Sequence, residues 1–206
     1  MLTVIVDYGM GNLASIENML KKVGAAAVVS SDPKTIEAAD KLILPGVGAF
    51  DAAVAKLEAR GLRPVLQEQV VARGKPVLGL CLGMQLLGRK SEEGVQPGLG
   101  WLDAESVRFR VGPEERRWKV PHMGWNSVRV AAPHPLMAEM PADPRFYFVH
   151  SYHMVCADAS LAVGMTHHAY EFASIVARGN VLGVQFHPEK SHAFGMRLMR
   201  NFVERI

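Results

Sequence analysis

Residues 76–83 read PVLGLCLG, an apolar run of strand type that ends at a cysteine between two glycines. The run predicts a buried strand, and the glycines on either side of Cys81 permit a tight turn into a helix. Such a turn lifts its central side chain above the end of a sheet, where the helix N-terminus favours negative charge. The segment therefore predicts an α/β sheet with a cysteine nucleophile, although a small cysteine packed in a turn is the simpler alternative.

The chain before this segment alternates strand and helix signals. Apolar runs that predict strands and helical spacings that predict helices follow one another at 3–6, 13–23, 27–29, 41–44, 50–57 and 62–70. Apolar strands separated by helices indicate a parallel sheet that is covered on both faces.

The second half of the chain has a different pattern. Short β-type stretches occur at 106–109, 126–130, 146–155 and 174–176, a turn at 179–180 leads into a strand at 181–186, and a last helix carries Met196, Met199 and Phe202. The expected fold is α/β: a flavodoxin-like, open, mostly parallel sheet with helices on both faces and an antiparallel β extension. No linker or repeat interrupts it, so we expect one domain over residues 1–206.

Composition narrows the function classes. The 206 residues carry a net charge of +3, and the basic residues are scattered, so a nucleic-acid surface is not expected. No apolar run approaches the roughly 20 residues that cross a bilayer, and the N-terminus starts as a strand and not as a signal peptide. We expect a cytoplasmic protein, without a membrane partner, in which Cys81 and Cys156 are reduced.

A second chemical motif is QFHPE at 185–189. A thiol nucleophile needs a base, and the base needs a group that orients it. His187 ends an apolar strand, and Glu189 faces the same way if the chain stays extended, so that it reaches one ring nitrogen while the other faces Cys81. Both motifs follow strands, and strand ends are where open α/β sheets bind ligands. The alternative is an ordinary surface histidine.

The third motif is PGVG at 45–48, which also follows a strand. Acyl transfer needs donors for an oxyanion, and the N–H of Leu82 is the natural first one. Val47 or Gly48 could supply the second, because glycines let the backbone approach a substrate closely. By itself this segment is more often a plain turn.

Other polar residues carry weaker signals. His150 and His153 would point to opposite faces of one strand, so we expect no shared metal, and the pair His167–His168 indicates an exposed turn. No dinucleotide or phosphate-binding motif is present, and no cofactor is expected. Trp125 is either an interface anchor or a partly buried core residue.

The three motifs together resemble the class I, triad-type glutamine amidotransferases. Within that class the chain is similar to the glutaminase subunits of imidazole glycerol phosphate synthase in histidine biosynthesis, and the similarity runs from the first strand to the last helix. The segments that carry it are DYGMGNL (7–13), LPGVGAF (44–50), GLCLGMQ (79–85), PHMGWN (121–126), FVHSY (148–152) and QFHPEKS (185–191).

The resemblance implies a role for each matching residue. Cys81, His187 and Glu189 would be the catalytic triad, and Leu82, Val47 and Gly48 would form the oxyanion hole. The residues expected to hold glutamine are Gln85, Glu93, His150, Ser151 and Tyr152. Those expected at the partner interface are Asn12, Trp125 and Lys190. The partner would be a (β/α)8-barrel cyclase subunit, in a heterodimer, that uses the ammonia to make imidazole glycerol phosphate and an aminoimidazole carboxamide ribotide.

Three rival functions stay open at the level of sequence. One is the glutaminase of another amidotransferase, such as pyridoxal phosphate synthase, and a second is a cysteine peptidase or hydrolase of related fold. The third is a catalytically silent regulatory subunit, against which the intact Cys81, His187 and Glu189 argue.

Overall fold

The computed structural model of the chain describes residues 1–112 and 118–206. The strands of these residues are β1 (Leu2–Val6), β2 (Ala26–Ser30), β3 (Lys41–Leu44), β4 (Val77–Leu80), β5 (Lys90–Ser91), β6 (Ala104–Arg108), β7 (His122–Ser127), β8 (Arg129–Val130), β9 (Arg145–His150), β10 (Tyr152–Cys156), β11 (Ala162–His168), β12 (Tyr170–Arg178) and β13 (Val181–Val184). The helices are α1 (Leu13–Lys22), α2 (Pro33–Ala38), α3 (Phe50–Ala59), α4 (Leu62–Gln67), α5 (Leu82–Leu86) and α6 (His192–Arg205). A π-helical turn, Glu68–Ala72, continues α4, and Pro188–Lys190 forms a 3-10 turn before α6.

The main sheet has a parallel half and an antiparallel half. The parallel half runs in the order β2-β1-β3-β4-β13, and β12, β10 and β6 continue it with antiparallel pairing. The short edge strand β5 pairs parallel to β6, while β11 and β8 lie on a branch from β12. Strands β7 and β9 form a separate antiparallel ribbon. The predicted fold class, a mostly parallel open sheet with an antiparallel extension, is confirmed.

Alternating side chains bury both faces of the parallel half. Val4 and Val6 of β1 belong to a core with α3 and α4, whereas Ile5 belongs to a second core with α1 and α6. Strand β3 shows the same alternation, since Leu42 and Leu44 lie in the first core and Ile43 in the second. This period of two is what a strand covered by helices on both faces requires. Among the described residues, no helix combines the length and apolar character that a bilayer crossing demands.

Three predictions of local structure were wrong. The stretch 126–130 is not one strand but parts of β7 and β8, which pair in different sheets. The stretch 146–155 is divided at Ser151, because β9 pairs with β7 while β10 pairs with β6. Helix α2 was missed, although Asp32 caps its first turn by accepting the N–H of Thr35 at 3.0 Å.

Candidate active site

Cys81 occupies the turn between β4 and α5. Its φ of 53° and ψ of −109° are strained for a residue with a side chain, which is common at functional turns. The flanking glycines permit close backbone packing: a Cβ on Gly79 would lie 2.7 Å from the carbonyl oxygen of Gly83, and one on Gly83 would lie 1.9 Å from that of Leu44. Helix α5 is therefore seated directly on the ends of β3 and β4, with Cys81 at its N-terminus.

His187 reaches the same sheet end from the neighbouring strand. Strands β4 and β13 pair in parallel, with Leu80 opposite Val184, so the residues that follow them emerge side by side. His187 donates its backbone N–H to the carbonyl of Tyr147 at 2.9 Å, which ties the start of the 3-10 turn to β9. The fold thus brings Cys81 and His187 together as expected, from distant parts of the sequence.

Glu189 accepts a hydrogen bond at Oε1 from Nδ1 of His187 across 2.8 Å, and both side chains are only 4% exposed. The expectation of an extended chain here was wrong. The chain bends through the 3-10 turn Pro188–Lys190, which brings Glu189 back to the ring. The other ring nitrogen, Nε2, is buried without a hydrogen bond of ordinary geometry to any described residue, and Cys81 lies beside it.

The surroundings of His187 favour its charged form. Burial lowers the pKa of His187, but the closeness of Cys81 and the hydrogen bond and negative charge of Glu189 outweigh burial and raise it to about 10. The imidazolium of His187 and the sulfur of Cys81 therefore stand as a pair at this sheet end. Such a pair provides a nucleophile together with an acid for the leaving group.

A cavity of about 420 Å³ opens beside the sulfur. It is lined by Val47, Gly48, Cys81, Leu82, Gln85, Glu93, Pro121, Val149, His150, Ser151, Tyr152, His187 and Lys190. Its size is in the usual range for a small-molecule site. All the residues predicted for the triad, the oxyanion hole and glutamine binding line it, with the exception of Glu189, which lies behind His187.

The segment 45–48, here called the donor loop, has one fixed half and one freer half. The hydroxyl of the buried Tyr8 donates to the carbonyl of Pro45 at 2.5 Å, and a Cβ on Gly46 would lie 2.7 Å from the backbone nitrogen of Gly83. By contrast, Val47 is 44% exposed, and Gly48 has a φ of +100°, which side-chain-bearing residues rarely adopt. Pro45 and Gly46 are thus held by close packing, whereas Val47 and Gly48 lie exposed at the cavity.

The comparisons with known proteins agree with this geometry. A family model described as glutamine amidotransferase class-I matches residues 4–206. The chain belongs to the class-I glutamine amidotransferases.

The amidotransferase is 54% identical over 203 residues to imidazole glycerol phosphate synthase subunit HisH 2 of Pseudomonas aeruginosa, which covers 98% of this chain and 99% of that protein. The protein of the same name from Methanococcus maripaludis is 47% identical with the same coverage. A solved structure described as a glutamine amidotransferase has a TM-score of 0.72 at 22% identity and covers 98% of this chain and 97% of that one. Another, from Thermotoga maritima, has a TM-score of 0.66 at 18% identity, with coverages of 92% and 76%. The two structures show a shared fold, and the two relatives confirm the family that the motifs predicted.

Several residues expected to hold glutamine are already engaged in the amidotransferase. Gln85 Nε2 faces the carbonyl of Tyr152 and the Oε1 of Gln185, both at 3.2 Å, so any ligand contact of its amide must come from its own Oε1. Glu93 accepts the N–H of Phe50 at 2.9 Å, at the start of α3. Both ring nitrogens of His150 also have protein partners. Ser151 and Tyr152 line the cavity, and their predicted role in binding glutamine stays a prediction.

The three residues expected at an interface are all exposed. Asn12 caps α1 by accepting the N–H of Ser15 at 3.4 Å. Trp125 is 40% exposed and stacks on His192 with ring centroids 5.4 Å apart. Lys190 places its Nζ 5.5 Å from the ring centroid of Tyr147 and also lines the cavity.

A cluster of histidines surrounds Phe109, and the predictions for three of them were wrong. His150 and His153 do not point apart, because the chain bends at Ser151, and their rings lie 5.3 and 4.6 Å from that of Phe109. His168 is not in an exposed turn but is buried at the end of β11. In the described part of the chain, no group of three or more potential ligands is arranged to hold a metal ion.

This cluster makes the protein sensitive to acid. Burial and the neighbouring His168 lower the pKa of His122 to about 3, and burial and His122 lower that of His150 well below its ordinary value. Below pH 6.5 the unfolded chain therefore binds protons that the folded chain refuses. Each histidine should remove about 1.4 kcal/mol from the free energy of unfolding per pH unit as the pH falls from 6.5 toward 3.

Urea unfolding at pH 7, 6 and 5 measures this loss. His122→Gln should give a shallower dependence than wild type, whereas His167→Gln, at an exposed position, should keep the full slope. Equal slopes in all three proteins would contradict the assignment.

Two residues that contact the site were not predicted from the sequence. Tyr8 holds the donor loop, and Gln185 donates from Nε2 to the sulfur of Cys81 at 3.7 Å. The available signal for Gln185 was a lone amide in the apolar run 181–186, which a buried strand accepts only when its polar atoms find partners.

Proposed function

We propose that this amidotransferase is the glutaminase subunit of an imidazole glycerol phosphate synthase, which hydrolyses glutamine to glutamate and passes ammonia to a cyclase subunit. The observation that carries the proposal is the meeting of Cys81, His187 and Glu189 at one end of the cavity. The names of the relatives from Pseudomonas aeruginosa and Methanococcus maripaludis supply the enzyme to which the subunit belongs. They favour it over the other glutaminases and over a silent subunit.

The chemistry is acyl transfer through a thioester. The sulfur of Cys81 forms a bond to the side-chain amide carbon of glutamine, and the carbonyl oxygen becomes an oxyanion. The carbon–nitrogen bond then breaks while Nε2 of His187 gives its proton to the leaving nitrogen, which departs as ammonia. Water, which gives a proton back to His187, attacks the thioester, releasing glutamate and restoring the thiolate. Glu189 holds the ring by its Nδ1–H and stabilises the imidazolium.

The oxyanion is stabilised by backbone donors. The N–H of Leu82 is the first, because it opens α5 directly after Cys81 and is not used within the helix. The second comes from the donor loop, at Val47 or Gly48, once the freer peptide turns its N–H toward the cavity. Two donors aimed at the developing charge accelerate this type of reaction strongly.

Glutamine would be held by its backbone groups at the far side of the cavity. Ser151 and Tyr152 lie there, where the chain passes from β9 to β10, and the carboxylate of Glu93 carries the charge that an α-ammonium group would seek. Gln85 offers Oε1, and His150 supports this wall from behind.

The product explains why a partner is needed. Ammonia is a base and gains a proton in neutral water, as amines do, and the ammonium ion is no nucleophile. It must therefore pass to the second active site by a sheltered path. The surface proposed for the (β/α)8-barrel cyclase subunit includes Asn12, Trp125 and Lys190, together with Met123, whose side chain is 63% exposed.

Glutamate release tests the proposal. We expect slow glutamine hydrolysis by the isolated chain, and faster hydrolysis when an imidazole glycerol phosphate cyclase subunit and its substrate or product are present. The physical reason is that the donor loop needs the partner to favour the productive peptide orientation. If the isolated chain hydrolyses glutamine as fast as the liganded complex, the proposed activation by the partner is wrong and the oxyanion hole is preformed. If neither the isolated chain nor the liganded complex hydrolyses glutamine, the proposed function is wrong.

A variant probes the donor loop separately. In Gly48→Ala a methyl group would meet Cε of Met10 at 3.2 Å and force a side chain into a φ of +100°. We expect stimulated turnover to fall at least about tenfold while glutamine binding changes little, because only an oxyanion donor is displaced. Equal losses in kcat and in affinity, measured by steady-state kinetics and calorimetry, would indicate a substrate-binding loop instead.

A further inference from the structure

Gln185 is a completely buried side chain that touches the proposed nucleophile. It follows the last residue of β13, its Nε2 lies 3.7 Å from the sulfur of Cys81, and its Oε1 lies 3.2 Å from Nε2 of Gln85. An amide in this place can present either a donor or an acceptor to the sulfur, depending on which way it is turned. The surrounding hydrogen bonds decide between the two.

The orientation of Gln185 is set by a backbone carbonyl. The carbonyl of Tyr152 can only accept, so the group of Gln85 that faces it at 3.2 Å is the NH2 group. The second N–H of this group meets Gln185, which must therefore present Oε1. The NH2 group of Gln185 is then left facing Cys81.

The same carbonyl also fixes a line of histidines. Nδ1 of His150 lies 2.7 Å from the Tyr152 oxygen and so carries a proton. Because His150 stays neutral, its Nε2 is an acceptor and receives the Nδ1–H of His122 at 2.9 Å. Nε2 of His122 is in turn an acceptor, 3.1 Å from the amide nitrogen of Asn126.

At the β7 end of the histidine line, the hydrogen bonds of Asn126 independently require the same donor-to-acceptor direction. The Oδ1 of Asn126 accepts the N–H of Ser127 at 2.8 Å, and its Nδ2 donates to the carbonyl of His167 at 2.9 Å. Asn126 is thus turned with its nitrogen toward His122 for reasons that do not involve the active site. Backbone carbonyls at both ends, those of Tyr152 and His167, fix the direction of the histidine line, which meets the line through Gln85 and Gln185 only at the Tyr152 carbonyl.

We propose that Gln185 stabilises the thiolate of Cys81 as a permanent N–H donor, and that Gln85 is a positioning residue that prevents its amide from turning over. A donor favours the charged sulfur over the neutral thiol. Unlike His187, Gln185 exchanges no proton during turnover, so its N–H is available whenever the sulfur is charged. The inference rests on the proposed function only in taking Cys81 as the nucleophile.

Among the described residues, the titratable groups next to the sulfur are His187, with Glu189 behind it, after β13, and Tyr8 after β1. Glu93 and Lys190 line the same cavity and are unchanged in all the variants. Tyr8 donates a hydrogen bond to the Pro45 carbonyl, and burial together with the charge on Cys81 raises its pKa, so it stays neutral. Gln185 is therefore the neutral side chain whose removal should alter the acidity of Cys81.

Alkylation of Cys81 by iodoacetamide as a function of pH tests the proposal without glutamine. All proteins carry Cys156→Ser, although burial and Asp158 already raise the pKa of Cys156 to about 11 and keep it a thiol. In Gln185→Met, which keeps the length of the side chain but loses the donor, the midpoint of the rate profile should rise by about one pH unit. Gln69→Met, which removes a buried amide remote from the sulfur, should leave it unchanged.

A second variant tests the positioning. Gln85→Met frees the amide of Gln185 to turn, and the midpoint should rise by a smaller amount in the same direction. An unchanged midpoint in Gln185→Met, or equal shifts in Gln185→Met and Gln69→Met, overturns the proposal. If Gln185→Met does not fold by circular dichroism, an unchanged midpoint in Gln85→Met overturns it. Glutamine hydrolysis is measured separately, so a failure of the proposed function leaves this result distinct.

Discussion

Replacement of His187 by alanine is expected to lower glutamate formation, with the cyclase partner present, by at least about a hundredfold. Its Nε2 is the group beside Cys81 that can protonate the departing ammonia, and its charge also stabilises the thiolate. Glu189→Gln should retain a larger residual rate, because an amide oxygen still accepts the Nδ1–H although the negative charge is gone. Initial rates of glutamate release, at saturating glutamine, give both values.

His167→Ala is the matched control, since this histidine is exposed and lies away from the cavity. It should keep the full rate. Near-wild-type activity in His187→Ala, in a complex shown to be assembled by gel filtration, would remove the triad from the mechanism.

The second large effect is expected at Gly83, where α5 is seated on the sheet. A Cβ there would lie 1.9 Å from the carbonyl oxygen and 2.9 Å from the carbonyl carbon of Leu44, and backbone cannot yield as a flexible side chain does. Gly83→Ala should lose about 3 kcal/mol or more of the free energy of unfolding, as overpacked cores do. Displacement of Cys81 and of the Leu82 N–H should also lower turnover about a hundredfold, because a shift of about 1 Å suffices for that.

Gly24→Ala separates this steric effect from the general cost of replacing a glycine. Gly24 has a positive φ but open space around its Cα, so alanine should cost about 1 to 2 kcal/mol and leave activity intact. Urea unfolding and glutaminase assays on both variants make the comparison. Full activity in Gly83→Ala would mean that α5 can move without disturbing the nucleophile.

The sequence could predict that Cys81 and His187 lie close together for a simple physical reason. The motifs around Cys81 and His187 each follow an apolar strand, and parallel strands release the chain at the same edge whatever lies between them in sequence. The position of each motif could be predicted without knowing any contact between distant parts of the chain. The same holds for the donor loop, which follows β3.

The failures arose where partners far along the chain decide the structure. The run 146–155 has β-type residues throughout, and only the pairing of β9 with β7 and of β10 with β6 shows that it must bend at Ser151. His168 looked polar and exposed, but it is buried against Phe109 and Trp118, which no local pattern reveals. The direction of the Gln185 amide is still less accessible to prediction, because it depends on the amide of Gln85 and the carbonyl of Tyr152 in two other segments of the chain.

The pairing of β4 with β13 also has an evolutionary consequence. The distance between nucleophile and base is set by the register of two adjacent strands, and Asn180 secures that register by donating to the carbonyls of Val70 and Lys75 at 2.7 and 3.0 Å. The outer surface of the chain that leaves after α5 and returns at β13 can therefore change without altering the spacing of Cys81 and His187, as long as β9 and β10 keep their places beside the cavity. A lineage that recruits the same ammonia-releasing chemistry for a new acceptor enzyme can remodel that outer surface while the register of β4 and β13 stays unchanged, so that diversification of partners and preservation of catalysis are largely separate problems for natural selection.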